Sequence, residues 1–126
     1  MKTYLRTTIT NVGPDVADLV EGGVLILFAE GAPAELAEVS VLHRVSDGPD
    51  TEAPGPGAEI LVGDVSAVLT GIGDLAWAKI RDLGHVVINF NDSDAPDRPG
   101  EICASTVNSD ALMAAIGAGA EITIRS

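Results

Sequence analysis

Alternation with a period of two dominates the pattern of apolar and polar positions. TYLRTTITNVG (3–13) is rich in β-branched residues and ends at a Gly-Pro break, which predicts a strand. VLILFAEG (24–31) is an unbroken apolar run of strand length and is expected to be buried on both faces. In EVSVLHRVSDG (38–48), alternation sets Val39, Val41, His43 and Val45 on one face and Ser40, Leu42 and Arg44 on the other, predicting a strand over 39–45. AEILVGD (58–64), VSAVLTGIG (65–73), HVVINFN (85–91), EICASTVN (101–108) and AEITIRS (120–126) read as further short strands. Helical spacing is clear only in DLAWAKIRDLG (74–84), with Asp74 at its start, Ala76, Ile80 and Leu83 on one face and Gly84 as C-cap. PDVADLVEGG (14–23) suits a short helix or a turn, and APAELAE (32–38) a single helical turn or a loop.

The expected architecture is therefore all-β, a small barrel or sandwich of seven to eight short strands with one short α-helix at about residues 74–83. SDGPDTEAPGPG (46–57) and DSDAPDRPG (92–100) are expected surface loops. Glycine precedes Glu-Ile at 59–60, 101–102 and 121–122, a glycine turn feeding a strand each time, but the pattern is too short to define a repeat.

Composition narrows the function classes. An apolar share of 46 % in 126 residues predicts one globular domain, 1–126. Aromatics make up only 3 %, so the core rests on Val, Ile, Leu and Ala, and a base-stacking platform is not expected. A net charge of −12 argues against a broad surface for nucleic acid or anionic membrane. The carboxylates are dispersed, which suits either an acidic surface kept for solubility or a salt-rich cytoplasm. None has calcium-loop spacing, and Cys103 is alone, so neither a disulfide within the chain nor a CxxC metal site is expected. MKTYLRTTIT lacks a signal-like apolar stretch and VLILFA (24–29) is too short to span a bilayer, so the expectation is a cytoplasmic protein without membrane insertion.

With P-loop, Rossmann, GxSxG and HExxH patterns all missing, the two histidines become the main candidates for chemistry. His43 admits two roles. It is either a core imidazole satisfied by backbone groups, or a nucleophile near a strand end, with one ring edge at solvent and the other nitrogen donating to a carbonyl. His85 follows Gly84 and either interacts with free carbonyls at the helix end or donates to a bound phosphoryl oxygen. Cys103 reads as a small buried hydrophobe. In EGAPAEL (30–36), Glu30 and Gly31 belong to a tight turn with solvated carboxylates, or to a loop whose N–H groups line a phosphoryl site.

YLRTTITNVG, LILFAEGAPAELAE followed by VLH, LGHVVINF and PGEICAS keep an order and spacing that resemble the glucitol/sorbitol-specific enzyme IIA family of the phosphoenolpyruvate-dependent sugar phosphotransferase system. The resemblance implies a small cytoplasmic all-β phosphotransferase. Such a protein takes a phosphoryl group from the histidine phosphocarrier protein (HPr) on its own histidine and passes it to a cysteine of the cognate IIB, whose IIC partner imports the sugar. The family histidine falls on His43, with phosphate expected on Nε2. His85 lies in the matching Leu-Gly-His-Val segment and is a candidate phosphoryl stabiliser, while Glu30 and Gly31 are candidates for partner contact. The resemblance implies no metal or nucleotide. A second histidine can occur two residues after the first in the family; here that position is Val45. Two other classes compete: a regulatory or partner-binding module on the same fold that carries no phosphate, and a small sugar binder, which the shortage of aromatics disfavours.

Overall fold

The computed structural model describes residues 2–126. The alternating segments form eight strands: β1 (Thr3–Val12), β2 (Val24–Ala29), β3 (Val41–Asp47), β4 (Glu59–Val62), β5 (Val65–Ile72), β6 (Val86–Asn89), β7 (Glu101–Ala104) and β8 (Glu121–Arg125). They close into a barrel in the order β1-β3-β2-β6-β7-β5-β4-β8. The pairs β2–β3 and β6–β7 are parallel and the others antiparallel. The barrel alternative thus holds over the sandwich. Closure gives every strand a neighbour on both sides, so among the described residues no strand lies at a sheet edge.

Four short helices accompany the strands rather than one: α1 (Val16–Glu21), α2 (Ala34–Ala37), α3 (Ala76–Leu83) and α4 (Ser109–Ala115). The sequence reading did not anticipate α4; its start is capped by Asn108, whose side chain accepts from the Ala111 N–H at 2.9 Å. α3 begins after Leu75 without a side-chain cap, so Asp74 does not serve as one. Its inner face is Ala76, Trp77 and Ile80, while Leu83 is 49 % exposed. Gly84 is the C-cap in the left-handed conformation, as expected.

A barrel has one inner face, and this corrects the expectation for residues 24–31. Leu25 and Leu27 are buried inside, whereas Val24, Ile26 and Phe28 on the outer face are only half-buried. β3 starts at Val41 instead of Val39 because Glu38 and Val39 close α2, donating to the carbonyls of Ala34 and Leu36. Leu5, Ile9, Leu69, Ile88, Ile102 and Ile124 are fully buried aliphatic side chains. Each contributes about 1.5–3 kcal/mol relative to exposure. The loop at 46–57 is tethered: Trp77 Nε1 donates to the Asp50 carbonyl at 2.7 Å, and Lys2 pairs with the Asp50 carboxylate at 3.0 Å.

The strand order maps onto itself when β1, β2, β3 and β4 are exchanged with β5, β6, β7 and β8. The registers agree. Ile9 opposite His43 matches Leu69 opposite Ala104, and the β1–β3 and β5–β7 pairs both shift register directly after that point. Thr8 opposite Glu121 matches Val68 opposite Glu59. The same close approach recurs: a Cβ at Gly13 would strike the Ala37 carbonyl, and one at Gly73 the Pro99 carbonyl. Left-handed glycines, Gly23 and Gly84, stand at the two corresponding corners, with φ of 82° and 63°. In this correspondence Thr7 and His43 of one half are equivalent to Ala67 and Ala104 of the other, and His85 matches Val24.

Candidate functional site

The ring of His43 lies inside the barrel, 2 % exposed, beneath the corner between α3 and β6. Three local features put it there. Alternation along β3 turns Val41 and His43 inward and Leu42 and Arg44 outward. On β1, alternation likewise turns Leu5, Thr7 and Ile9 inward. At the corner, Gly84 packs on Ala29, the parallel register partner of His43; a Cβ on Gly84 would lie 2.8 Å from the Ala29 Cβ.

Both ring nitrogens are engaged. Nε2 lies 2.6 Å from the Gly84 carbonyl, and Nδ1 lies 2.6 Å from Thr7 Oγ1. A carbonyl only accepts, so Nε2 carries the proton, and Nδ1 accepts from the Thr7 hydroxyl. Burial pushes the His43 pKa below the ordinary imidazole value, and the Gly84 carbonyl opposes that shift without overcoming it. Burial thus favours the neutral ring, and the two contacts hold it in one orientation. The expectation of a solvent-facing ring edge is not met in this conformation, because the corner above covers it.

His85 occupies a different environment. Its Nδ1 donates to the Leu27 carbonyl at 3.1 Å, and its ring lies 4.9 Å from that of Phe28, tilted by 36°. The carbonyl bonded is one of β2, not a free carbonyl of the α3 end. His85 lines a cavity of about 260 Å³ with Lys79, Arg98 and Gly100, two cations in a chain that has only 7. The two histidines are thus linked through the Gly84–His85 peptide: the His43 ring bonds the Gly84 carbonyl, and His85 is the next residue in the chain.

Glu30 is exposed and forms a two-pronged pair with Arg44, Nε–Oε1 at 2.8 Å and Nη2–Oε2 at 3.3 Å. Arg44 holds the Glu30 carboxyl below the usual carboxylate range. The Glu30 N–H donates to the His43 carbonyl at 3.3 Å, and Gly31 adopts φ of 86° with open space around it. Gly31, Val45, Leu83 and Gly84 share a shallow cavity of about 480 Å³ on the outer side of the corner. Cys103 is buried, and burial pushes its thiol pKa up, in keeping with a packing role. Among the described residues, no three His, Cys, Asp or Glu side chains are grouped to hold a metal ion.

Thr7 and the Gly84 carbonyl are the two partners that the sequence reading missed. Thr7 carried the same signal as His43, a polar side chain at an inward position of an apolar strand face. The carbonyl carries none, since its placement depends on a corner folded from another part of the chain.

Comparison with known proteins gives one consistent answer. Residues 4–123 match the family described as the PTS system glucitol/sorbitol-specific IIA component. The glucitol/sorbitol-specific EIIA components of Shigella flexneri and Escherichia coli (strain K12) are each 33 % identical over 102 residues, 81 % of this chain and 81 % of theirs. The crystal structure of a PTS system IIA component from Enterococcus faecalis V583 superposes with a TM-score of 0.74 at 21 % identity, covering 96 % of this chain and 99 % of that one, and so shares the fold.

Proposed function

Because the chain belongs to the glucitol/sorbitol-specific IIA component family of the phosphotransferase system, we propose that it carries a phosphoryl group between two partner proteins on the imidazole of His43. Family membership gives the phosphotransfer role and partners of the HPr and IIB kind. His43 as carrier, HPr as immediate donor and a IIB cysteine as acceptor are the finer inference, with glucitol or a related polyol as the sugar served.

Phosphorus bonds to Nε2 of His43 as the N–P bond of the donor phosphohistidine breaks, and the donor imidazole keeps the electron pair. In the second step a IIB thiolate bonds to phosphorus and His43 leaves. Such transfers depend mostly on positioning and charge. The contacts with Thr7 and Gly84 fix the ring plane, and Nε2 must lose its proton and its bond to the Gly84 carbonyl before it can bond phosphorus. His85, which lines a cavity with Lys79 and Arg98, is our candidate for stabilising phosphoryl oxygens, and Glu30 and Gly31, which line the cavity beside Gly84, are candidates for partner contact.

One observation carries the proposal. The other half of the barrel carries Ala67 and Ala104 where this half has Thr7 and His43, so strand pairing and barrel closure do not themselves call for an imidazole at residue 43. The test is incubation with phosphoenolpyruvate, enzyme I and HPr, which should yield an acid-labile, base-stable adduct on the parent and none on His43→Gln. Equal phosphorylation of the variant would remove His43 from the role. The low exposure of His43 favours a second reading, a partner-binding module that carries no phosphate. A stable complex with a partner and no phosphate turnover would establish that reading instead.

A further inference from the structure

We infer that Thr7 is a positioning residue that lets His43 change tautomer in place, while the Gly84–His85 peptide is the gate that uncovers Nε2. This rests on His43 being the phosphoryl acceptor.

The two partners of the ring are chemically unequal. The Gly84 carbonyl can only accept, so it serves only the form protonated at Nε2. Attack on phosphorus by Nε2 needs the opposite form, with the lone pair on Nε2 and the proton on Nδ1. The Thr7 hydroxyl serves both. It donates to Nδ1 at rest and, after rotation about its C–O bond, accepts from Nδ1–H, so the ring need not move. The exchange balances: one proton leaves Nε2 for water when the corner opens, and one from water reaches Nδ1. A side chain without the hydroxyl would leave a buried Nδ1–H unpaired in the phosphorylated form.

The carbonyl must turn away, since its oxygen would face the lone pair of Nε2 and then the phosphoryl oxygens. Rotation of the Gly84–His85 peptide changes ψ of Gly84 and φ of His85. Gly84 starts at φ 63° and ψ 21°; the rotated state combines positive φ with extended ψ, a region essentially confined to glycine. The bond from the Gly84 N–H to the Ile80 carbonyl, 2.8 Å, lies on the preceding peptide and is retained. The His85 N–H gives up only a long 3.3 Å bond to the Lys79 carbonyl. Rotated, that N–H replaces an acceptor with a donor beside the phosphoryl group. At the corresponding corner, the Gly23 carbonyl is held by the Phe90 backbone N–H at 2.8 Å, whereas the Gly84 carbonyl is held by the imidazole itself.

Ring ¹⁵N spectra of His43 in the full chain, before and after phosphorylation by phosphoenolpyruvate, enzyme I and HPr, test this together with Thr7→Ser and Thr7→Val. The parent should show Nε2–H at rest, then phosphate on Nε2 with Nδ1 protonated. Thr7→Ser should transfer at close to the parent rate. Thr7→Val should be slower by about tenfold to a hundredfold while keeping the resting Nε2–H form, a split that a packing role would not produce. Equal rates for Thr7→Val and the parent, with His43→Gln inert, overturn the role of Thr7 alone. Phosphorylation of His43→Gln overturns the acceptor assignment beneath it. Where Thr7→Val does not fold, the parent spectrum decides: phosphate on Nδ1 refutes the inference, and an exchange-protected Nδ1 proton beside phosphorylated Nε2 supports it.

Discussion

Gly84 rests on Ala29 so closely that a Cβ added to Gly84 would come within 2.8 Å of the Ala29 Cβ. Ala29 is in turn the register partner of His43, so this contact sets the height of the carbonyl over the ring. Gly84→Ala should destabilise the fold by the cost of a left-handed alanine, about 1–2 kcal/mol, with the clash in addition. Gly23→Ala is the internal control: φ is 82° there, but the nearest atom to an added Cβ is the Phe90 carbonyl oxygen at 3.5 Å. Denaturant titration should find Gly84→Ala the less stable of the two. The reverse order would mean that the Ala29 contact yields without cost.

Acid should weaken the fold in part through His43. Its folded pKa lies below the unfolded value of about 6.5, so the folded state binds fewer protons between the two values. The stabilisation is present above pH 6.5, roughly the unfolded value, and is lost as pH falls through the folded one. His43→Gln removes this dependence while its amide can still donate to Gly84 and accept from Thr7. Urea midpoints measured across that range should fall more steeply for the parent. Parallel profiles would show that His43 does not titrate differently on folding.

His85→Ala is expected to slow phosphoryl transfer by about tenfold while leaving the fold intact, because it removes one group from the Lys79–Arg98 cavity. Single-turnover transfer from phosphorylated HPr is the measurement. Unchanged kinetics would leave His85 only its contacts with Leu27 and Phe28.

The pair between Glu30 and Arg44 is exposed, so Glu30→Gln should leave the melting temperature almost unchanged. If Glu30 lies on the rim that HPr meets, the variant should instead alter the salt dependence of the transfer rate. Identical salt profiles for the two proteins would exclude Glu30 from docking.

The sequence made the strands legible because an inward face of Leu, Ile and Val repeats every second residue. It also singled out His43, a polar side chain on such a face. Barrel closure was not legible, since it depends on β2 meeting β6 and β4 meeting β8 across long stretches of chain. The internal correspondence left only short traces, such as ITNVG (9–13) against LTGIG (69–73). Glu-Ile at 59–60 and 121–122 marks one pair of corresponding strands, but Glu-Ile at 101–102 belongs to a strand outside that pair. Helix α4 was missed because its signal was one capping asparagine before a small-residue segment.

A barrel whose strand order maps onto itself offers a docking protein two addresses of the same backbone design. A few side chains set the two corners apart chemically: both histidines stand at the Gly84 corner, with alanine and valine at the corresponding positions.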